Sequence, residues 1–484
     1  MRAPIALGLT ASLLAGCTLE PHYVRPAPAM PGNWPVGAAY PASPQPAPPS
    51  VSYRDVFRDP HLLAILDKAL ANNQDLRAAV ANVEIARAQY RIQRADLLPR
   101  IAATGSFTES HAPATSITPG GQVVRAPATS RSYALDAGFN AFELDLFGRL
   151  RSLTHAAFDQ YLATEAGARA ARLTLVGETA NAYLTLAADR SLLAIAQDTR
   201  TSAQKTVDLT RARLTGGIAP RTDVRQAETL LDQAASDVAS LTTQVAQDRN
   251  ALELLVGASV ADADLPPAIE SVDGLLTEVP AGLDSHVLLR RPDVAEAEYR
   301  LRAANAQIGA ARAAFFPTIS LTALAGQLSP ALSALFQGGA RTWQFGGGAA
   351  ETLFAGGANV AGLAQSKAQR ALATANYQKA VQTAFREVAD ALARRGTIRD
   401  QVAAQEGLLT AATDSYNLEV ARYREGVDPY LNTLDAQRTL YTARRSLTAT
   451  RLEQATNLVA LYQTLGGDKA LDAMPVAGAA KAKG

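Results

Sequence analysis

The sequence has little cysteine, no long apolar run after its first residues, and almost no net charge. Cys17 is the only cysteine among 484 residues, so no disulfide can form within one chain. Beyond the N-terminal apolar run, no stretch of about 18 apolar residues occurs, which excludes a membrane-spanning helix there. The 46 basic and 45 acidic residues nearly cancel, and this balance gives no reason to expect a nucleic-acid partner.

Motifs of enzymes and metal sites are also missing. The histidines are isolated in the sequence, and none has metal-ligand spacing to another or to Cys17. They are His22, His61, His111, His155 and His286. Neither a Gly-x-Ser-x-Gly elbow nor a Walker lysine motif occurs. The sequence therefore predicts that the protein is not an enzyme and holds no metal.

The N-terminus has the pattern of a secretory signal. Arg2 precedes an apolar run from Ile5 to Leu14, which is too short for a permanent membrane span. The run ends in Leu-Ala-Gly-Cys, which resembles a bacterial lipobox. We therefore expect a lipoprotein signal peptide at 1–16 and a covalent lipid, a diacylglycerol with an N-acyl chain, on Cys17. By the same resemblance, Thr18 favours the outer membrane, and an ordinary signal with a chance cysteine is the alternative.

Proline is concentrated in the segment that follows. Residues 21–49 hold 10 of the 25 prolines. This composition disfavours helix and predicts an extended strap, over 17–60, between the lipid and the body of the protein.

The remaining sequence contains an internal duplication. Residues 212–257 align with 421–466 at a constant offset of 209, with 11 of 46 positions identical, and 75–101 align with 293–319. A period of about 210 residues is too long for a solenoid and indicates two similar structural halves. The expected divisions are two repeats, a linker between them and a tail: 61–257, 291–466, 258–290 and 467–484.

Proline-free segments predict unusually long helices. No proline lies between Gly148 and Pro220, and none lies between Pro330 and Pro429. Each segment can hold a helix of about 65 residues, or roughly 100 Å at about 1.5 Å per residue. Helices of this length favour a coiled coil or a helical barrel over a globular bundle.

A heptad pattern follows the first of these segments. Within 221–256 one apolar series recurs every seven residues, and a companion series is broken only by Asp248. The series are Val224, Leu231, Val238, Val245 and Leu252, and Ala227, Ala234, Leu241 and Leu255. This spacing predicts a coiled-coil seam, with a plain amphipathic core helix as the alternative.

Four short segments alternate apolar residues with small or polar ones. They lie at about 101–110, 131–144, 318–327 and 342–353. The apolar set of the second segment is Tyr133, Leu135, Ala137, Phe139 and Ala141. Such segments are typical of transmembrane β-strands, although a soluble antiparallel sheet is the alternative. Because membrane barrels need about eight strands or more, strands in a membrane would require the chain to oligomerise.

Several longer segments resemble one known family over nearly the whole mature chain. They include "FRDPHLLAILDKALANNQDLRAAVANVEIARAQYR", "FELDLFGRLR", "LLRRPDVAEAEYRLRAANAQIGAARAAFFPTISLTALAG" and "YREGVDPYLNTLDAQRTLYTARR". The chain resembles the TolC-like outer-membrane factors of tripartite RND-type efflux systems, in their NodT-type lipoprotein branch.

The resemblance implies an α+β membrane protein that forms a homotrimer. Each chain would contribute four strands to a 12-stranded outer-membrane β-barrel that is continuous with a long periplasmic helical barrel. The long helices would be 148–214 and 358–424, with shorter ones at 61–98, 221–256, 293–315 and 429–465.

The same resemblance implies a passive exit duct in the bacterial outer membrane. A periplasmic adaptor protein and an inner-membrane RND-type transporter would be its partners, together with outer-membrane lipid. A type I protein-secretion duct and a non-conducting coiled-coil envelope lipoprotein are the alternatives.

Site residues also come from the family motif. Leu431 would narrow the pore, Asp435 would face its axis, and Arg438 would lie one helical turn further on, all on one helix face. Three Asp435 carboxylates in a trimer would attract cations. As an alternative, Asp435 is a solvated residue or a partner of Arg438. The helix tips that dock the adaptor would be the two Gly–Pro turns, which contain Gly217, Pro220, Gly426 and Pro429.

Overall fold

The computed structural model describes residues 18–40, 52–113, 127–272 and 285–466. The expected signal peptide at 1–16, the expected lipid site Cys17 and the tail at 467–484 lie outside the described residues. Parts of the strap, of the first strand-to-strand loop and of the linker lie outside them as well.

The described residues form eight α-helices and four β-strands. The helices are α1 (Tyr53–Val56), α2 (Pro60–Asn72), α3 (Gln74–Ala95), α4 (Arg149–Thr215), α5 (Arg221–Val256), α6 (Pro292–Ala313), α7 (Ala358–Arg424) and α8 (Tyr430–Leu465). The strands are β1 (Ala102–Ala112), β2 (Ala128–Leu144), β3 (Thr318–Ser329) and β4 (Arg341–Ala350). The predicted combination of long helices with a four-stranded sheet is confirmed.

The chain divides into two compact units. The first contains all four strands and comprises the described parts of 1–26, 84–163 and 298–376. The second is helical and comprises the described parts of 27–83, 164–297 and 377–484. No helix in the described ranges has an apolar stretch long enough to cross a membrane.

The sheet of the first unit is antiparallel and has the strand order β1-β2-β3-β4. Its register places most of the large apolar residues of the four strands on one face. They are Phe107, Tyr133, Leu135, Phe139, Phe142, Leu144, Ile319, Leu321, Trp343 and Phe345. The other face is mostly small or polar, with Leu324 and Leu328 as exceptions. Within the described chain, β1 and β4 each leave one edge unpaired.

The alternation predicted for β2 is wrong at its last step. A bulge between Phe139 and Phe142 inserts one extra residue, so that Phe142, and not Ala141, pairs with Leu321 on the apolar face. Ala141 adopts a positive φ of 56°, and its N–H donates to Thr322 Oγ1 at 3.2 Å. The spacing of apolar residues cannot reveal a bulge, because a bulge is defined by the pairing with the neighbouring strand.

The heptad seam predicted for 221–256 lies on the buried face of α5. Val224, Ala227, Ala234 and Leu252 are at most 6% exposed, and the other seam residues are half-buried. Asp248, which breaks the companion series, is half-buried as well and accepts a hydrogen bond from the Gln244 side chain at 3.0 Å. After burial, Asp248 is the main cause of the raised pKa of the Asp189 carboxyl of α4.

The single helix expected at 61–98 is two helices, α2 and α3, which are interrupted at Asn73. The Asn73 side chain accepts from the Leu76 N–H at 2.8 Å, which caps the start of α3. It also donates to the Leu255 carbonyl at 2.9 Å, so a contact distant in sequence determines where the chain breaks.

The strap expected at 17–60 also needs one correction. Its described residues 18–40 contain no helix or strand, but the segment further along contains the one-turn helix α1. Ser52 and Asp55 form a capping box at the start of that helix, which stabilises a turn despite the proline-rich surroundings. In the second unit, Trp34 of the strap stacks on Phe385 with ring centres 5.0 Å apart.

Candidate functional site

Two helix hairpins of the second unit each have a turn of the same type. The first hairpin joins α4 to α5, and the second joins α7 to α8. In the first turn, the N–H groups of Gly217 and Ile218 each donate at 3.0 Å to carbonyls in the last turn of α4. At positions 209 residues later, Gly426 and Val427 donate in the same way at 3.0 and 2.9 Å. The two copies of the repeat therefore form their turns with the same set of hydrogen bonds.

The four predicted tip residues lie in these turns. Gly217 and Gly426 have φ angles of 73° and 76°, a left-handed conformation that glycine adopts without steric cost. Pro220 and Pro429 take the N-cap positions of α5 and α8, where the lack of a backbone N–H costs no helical hydrogen bond. The spacing of glycine and proline thus explains why both hairpins turn where they do.

The predicted gate residues share one exposed face at the start of α8. Leu431 is 51% exposed, and Asp435 and Arg438 are also exposed. Their neighbours Leu434 and Gln437 are buried against the rest of the unit. In the part of the chain that the structure describes, no ion pair joins Asp435 to Arg438. The alternative that Asp435 serves as a partner of Arg438 finds no support in this geometry.

Arg213 connects the two hairpins at their ends. Its guanidinium donates to the carbonyls of Tyr423 and Arg424 at 3.0 and 3.3 Å. The group also lies 4.7 Å from the centre of the Tyr423 ring. These are the last carbonyls of α7, which carry the negative end of the helix dipole, and the Tyr423 carbonyl also accepts from the Gly426 N–H. The sequence analysis did not select Arg213, although its identity with Arg422 in the aligned repeat was a usable signal.

A small apolar cluster lies behind these turns. Tyr423 and Tyr430 pack with ring centres 5.5 Å apart, and Leu434 joins them. The first hairpin contributes Val207 and Leu230, among others. Burial raises the pKa of both tyrosine hydroxyls, so both are neutral at physiological pH.

Two further hydrogen bonds link the hairpins. The hydroxyls of Ser202 and Tyr416 are 2.9 Å apart, and the Tyr441 hydroxyl donates to Asp237 at 2.6 Å. Burial, followed by the hydrogen bond to Asp237, raises the pKa of Tyr441 to about 12. Each bond joins residues more than 200 positions apart, and the sequence analysis missed both.

Within the described ranges, no group of three or more histidine, cysteine or acidic side chains is arranged to hold a metal ion. The predicted lipid-bearing residue, Cys17, lies outside those ranges.

A family model described as "Outer membrane efflux protein" matches residues 65–258 and 283–467, which together are well over half of the chain. The chain belongs to the outer membrane efflux protein family. This membership confirms the resemblance stated from the sequence, together with the predicted efflux function and the outer-membrane location. The family's role is passage across a membrane, which agrees with the expectation that the protein is not an enzyme.

Relatives of the outer membrane efflux family span nearly the whole chain. The probable efflux pump outer membrane protein TtgC of Pseudomonas putida is 44% identical over 96% of this chain and 95% of its own. The outer membrane protein OprJ of Pseudomonas aeruginosa is 39% identical over 96% and 97%. Among solved structures, the open state of the Neisseria gonorrhoeae MtrE outer membrane channel has a TM-score of 0.82 at 34% identity and covers 93% of this chain and 98% of its own.

Proposed function

We propose that the protein is the outer-membrane channel of a tripartite efflux pump and works as a homotrimer. The observation that carries the proposal is the sheet of the first unit, which has two unpaired edges and an exposed apolar face. On that face Trp343 is 79% exposed, Phe345 is 68% exposed and Phe107 is 54% exposed. A sheet with open edges cannot stand alone in lipid, because its edge N–H and C=O groups would lack partners.

Three copies remove this difficulty. The free edge of β4 in one chain would pair with the free edge of β1 in the next, and three sets of four strands would close a 12-stranded barrel. The apolar face would contact lipid and the polar face would line the lumen.

Apolar side chains on the helices support packing between copies. In the first unit, Ile85 and Ile92 of α3 lie two turns apart and are 55% and 64% exposed. Val360 and Leu372 of α7 are 66% and 63% exposed. Exposed apolar stripes on helices favour burial against further helices, and the helices of three chains would form the periplasmic barrel.

The exposed face of α8 would line the narrow end of this duct. Leu431, Asp435 and Arg438 would constrict the pore, and three Asp435 carboxylates would attract cations and disfavour anions. Asp435 has no competing ion pair within the described residues, which supports a role toward the lumen.

The hairpin turns would dock the periplasmic adaptor, which links the channel to an inner-membrane RND-type transporter. Each turn, marked by Gly217 and Pro220 or by Gly426 and Pro429, exposes one apolar side chain. Ile218 is 68% exposed in the first turn, and Val427 at the aligned position is 61% exposed. A role in efflux is favoured over a role in protein secretion, because the relative TtgC is named a probable efflux pump outer membrane protein.

We also propose a lipid on Cys17. The next residue, Thr18, packs tightly on Gly148 in the turn between β2 and α4, where an added Cβ would lie 3.0 Å from the Thr18 Cα. Asn305 fixes the strap further on by donating to the Pro21 carbonyl at 2.7 Å. Thr18, the first described residue of the strap, therefore lies beside the end of a proposed membrane strand, and an acyl chain on the preceding residue would enter the bilayer there.

Two measurements test the proposal. Mass determination of the purified protein in mild detergent should give three chains, and planar bilayers should show discrete conductance steps. A stable monomer, or a trimer without conductance, would contradict it.

Labelling with palmitate tests the lipid separately. The wild type should take up the label and Cys17→Ala should not, although Cys17→Ala should still form trimers. A wild type that takes up no label would exclude the lipid but not the channel.

A further inference from the structure

A cavity of about 340 Å³ lies between the two hairpins of the second unit. Its walls come from α4, α7 and α8, and its α8 wall begins at Gln437, which is next to Arg438 in the chain. The volume falls within the range of about 300–1,000 Å³ that is typical of small-molecule sites. Neither the family assignment nor the proposed duct gives this cavity a role.

The cavity carries excess positive charge. Lys205 of α4 and Arg444 of α8 line it, and within the described residues neither side chain forms an ion pair. Asp198 is the acidic residue of the lining. Two cations against one carboxylate favour an anionic ligand, and the planar guanidinium of Arg444 is suited to a carboxylate.

The cavity also contains a hydrogen-bond acceptor without a donor. Gln437 lines the wall and is 4% exposed, and its Oε1 atom has no hydrogen-bond partner among the described residues. The nearby hydroxyls do not supply one, since Thr199 donates to the Ile195 carbonyl at 2.8 Å and Ser202 is engaged with Tyr416. A buried acceptor left unpaired is costly, so a ligand that brings an O–H group gains binding energy here.

We propose that this cavity binds a small hydroxycarboxylate anion. Arg444 and Lys205 would hold its carboxylates, and its hydroxyl would donate to Gln437 Oε1. Because the wall is built from both hairpins, a bound anion would hold them together and stabilise their packed arrangement.

Calorimetry on the purified full-length protein in detergent tests the charge component, with citrate as the probe. Citrate should bind the wild type, and Arg444→Gln should weaken binding about tenfold or more because a charged hydrogen bond is lost. Lys205→Gln should weaken it less, since the ammonium is a more strongly hydrated donor. Lys367→Gln, an exposed lysine elsewhere on α7, should leave binding unchanged. Absence of citrate binding to the wild type, or equal binding by Arg444→Gln, would overturn the proposal.

Tricarballylate, which has the three carboxylates of citrate without the hydroxyl, tests the role of Gln437. The wild type should prefer citrate by about threefold to tenfold, the contribution of one hydrogen bond. Gln437→Leu should lose this preference while it still binds both anions. A preference that survives in Gln437→Leu would show that the hydroxyl is not bound there. Circular dichroism of each variant establishes that it is folded.

Discussion

The guanidinium of Arg213 lies 4.7 Å from the centre of the Tyr423 ring and joins the two helix hairpins of the second unit. The duplicated chain places Arg422 at the equivalent position of the second hairpin, but that arginine pairs with Asp428 of its own turn. One arginine therefore binds across the hairpins and the other stays within its own. Two copies of one sequence position have acquired different structural roles.

Replacing Arg213 should loosen the contact between the hairpins. Arg213→Gln loses the charged hydrogen bonds to two carbonyls and the contact with the Tyr423 ring, which we expect to cost about 1–2 kcal/mol. The melting temperature in detergent should fall, and the single-channel conductance should rise. Arg211→Gln is the control, because among the described residues the Arg211 side chain forms an ion pair with Glu228 of its own hairpin and with no other group. If both variants behave alike, Arg213 does not hold the hairpins together.

Replacing Asp435 should widen the proposed constriction and remove its negative charge. Asp435→Ala should raise single-channel conductance and weaken block by multivalent cations added from the periplasmic side. Arg438→Ala should favour opening if the arginine ties neighbouring helices, but it should leave the cation block in place. Unchanged conductance and unchanged block in Asp435→Ala would show that this residue lies away from the constriction.

The carboxyl pair of Asp189 and Asp248 should make stability depend on pH. Burial, followed by Asp248, raises the pKa of Asp189 to about 7, whereas an unfolded chain titrates near pH 4. The folded state therefore binds more protons between these values, and the stability from protonated Asp189 is lost as the pH rises from about 4 to about 7. Above that window the contribution of the pair is constant.

Asp248→Asn tests this expectation. The change removes the neighbouring negative charge, so the pKa of Asp189 should move toward its ordinary value and the melting temperature should depend less on pH. Melting curves in detergent between about pH 5 and pH 8 measure the slope. Asp208→Asn is the control, because Asp208 is an exposed residue of α4 that accepts a hydrogen bond from Gln204. If the melting temperature of Asp248→Asn depends on pH as steeply as that of the wild type, Asp248 is not the cause of the raised pKa of Asp189.

Arg291 should be important for the stability of the second unit. Its side chain is 9% exposed and forms ion pairs with Asp293 and Glu387, both at 2.8 Å. It also donates to the Thr464 carbonyl at 2.9 Å, near the end of α8. Arg291→Ala leaves these groups unpaired and should cost about 2–3 kcal/mol, below the full value for a buried pair because both carboxylates are partly exposed.

The measured quantity for Arg291 is the midpoint of thermal or denaturant unfolding. Arg386→Ala removes an arginine that is 71% exposed and lies 4.0 Å from Asp390, so it should change the midpoint very little. If the two variants lower the unfolding midpoint by similar amounts, the burial of Arg291 contributes nothing to stability.

Features with a local cause were accessible from the sequence. Pro220 and Pro429 cannot extend a preceding helix, and Gly217 and Gly426 supply the left-handed turn before them, so the hairpin ends followed from residue type alone. The seven-residue spacing in α5 predicted its buried stripe because helix geometry repeats with nearly that period. Alternation in the strands predicted the apolar sheet face, because successive side chains of a strand point to opposite faces of the sheet.

Tertiary structure decided what depends on partners distant in the chain. Asn73 ends one helix and caps the next while its side chain binds Leu255, and the bulge at Ala141 exists only in the pairing with β3. The contact of Arg213 with Tyr423 joins residues 210 positions apart. Backbone periodicity describes which face a residue lies on, but it carries no information about which side chain of another element lies opposite. The family motif therefore named Asp435 and Arg438, whereas the cavity lined by Gln437 emerged only from the packed helices.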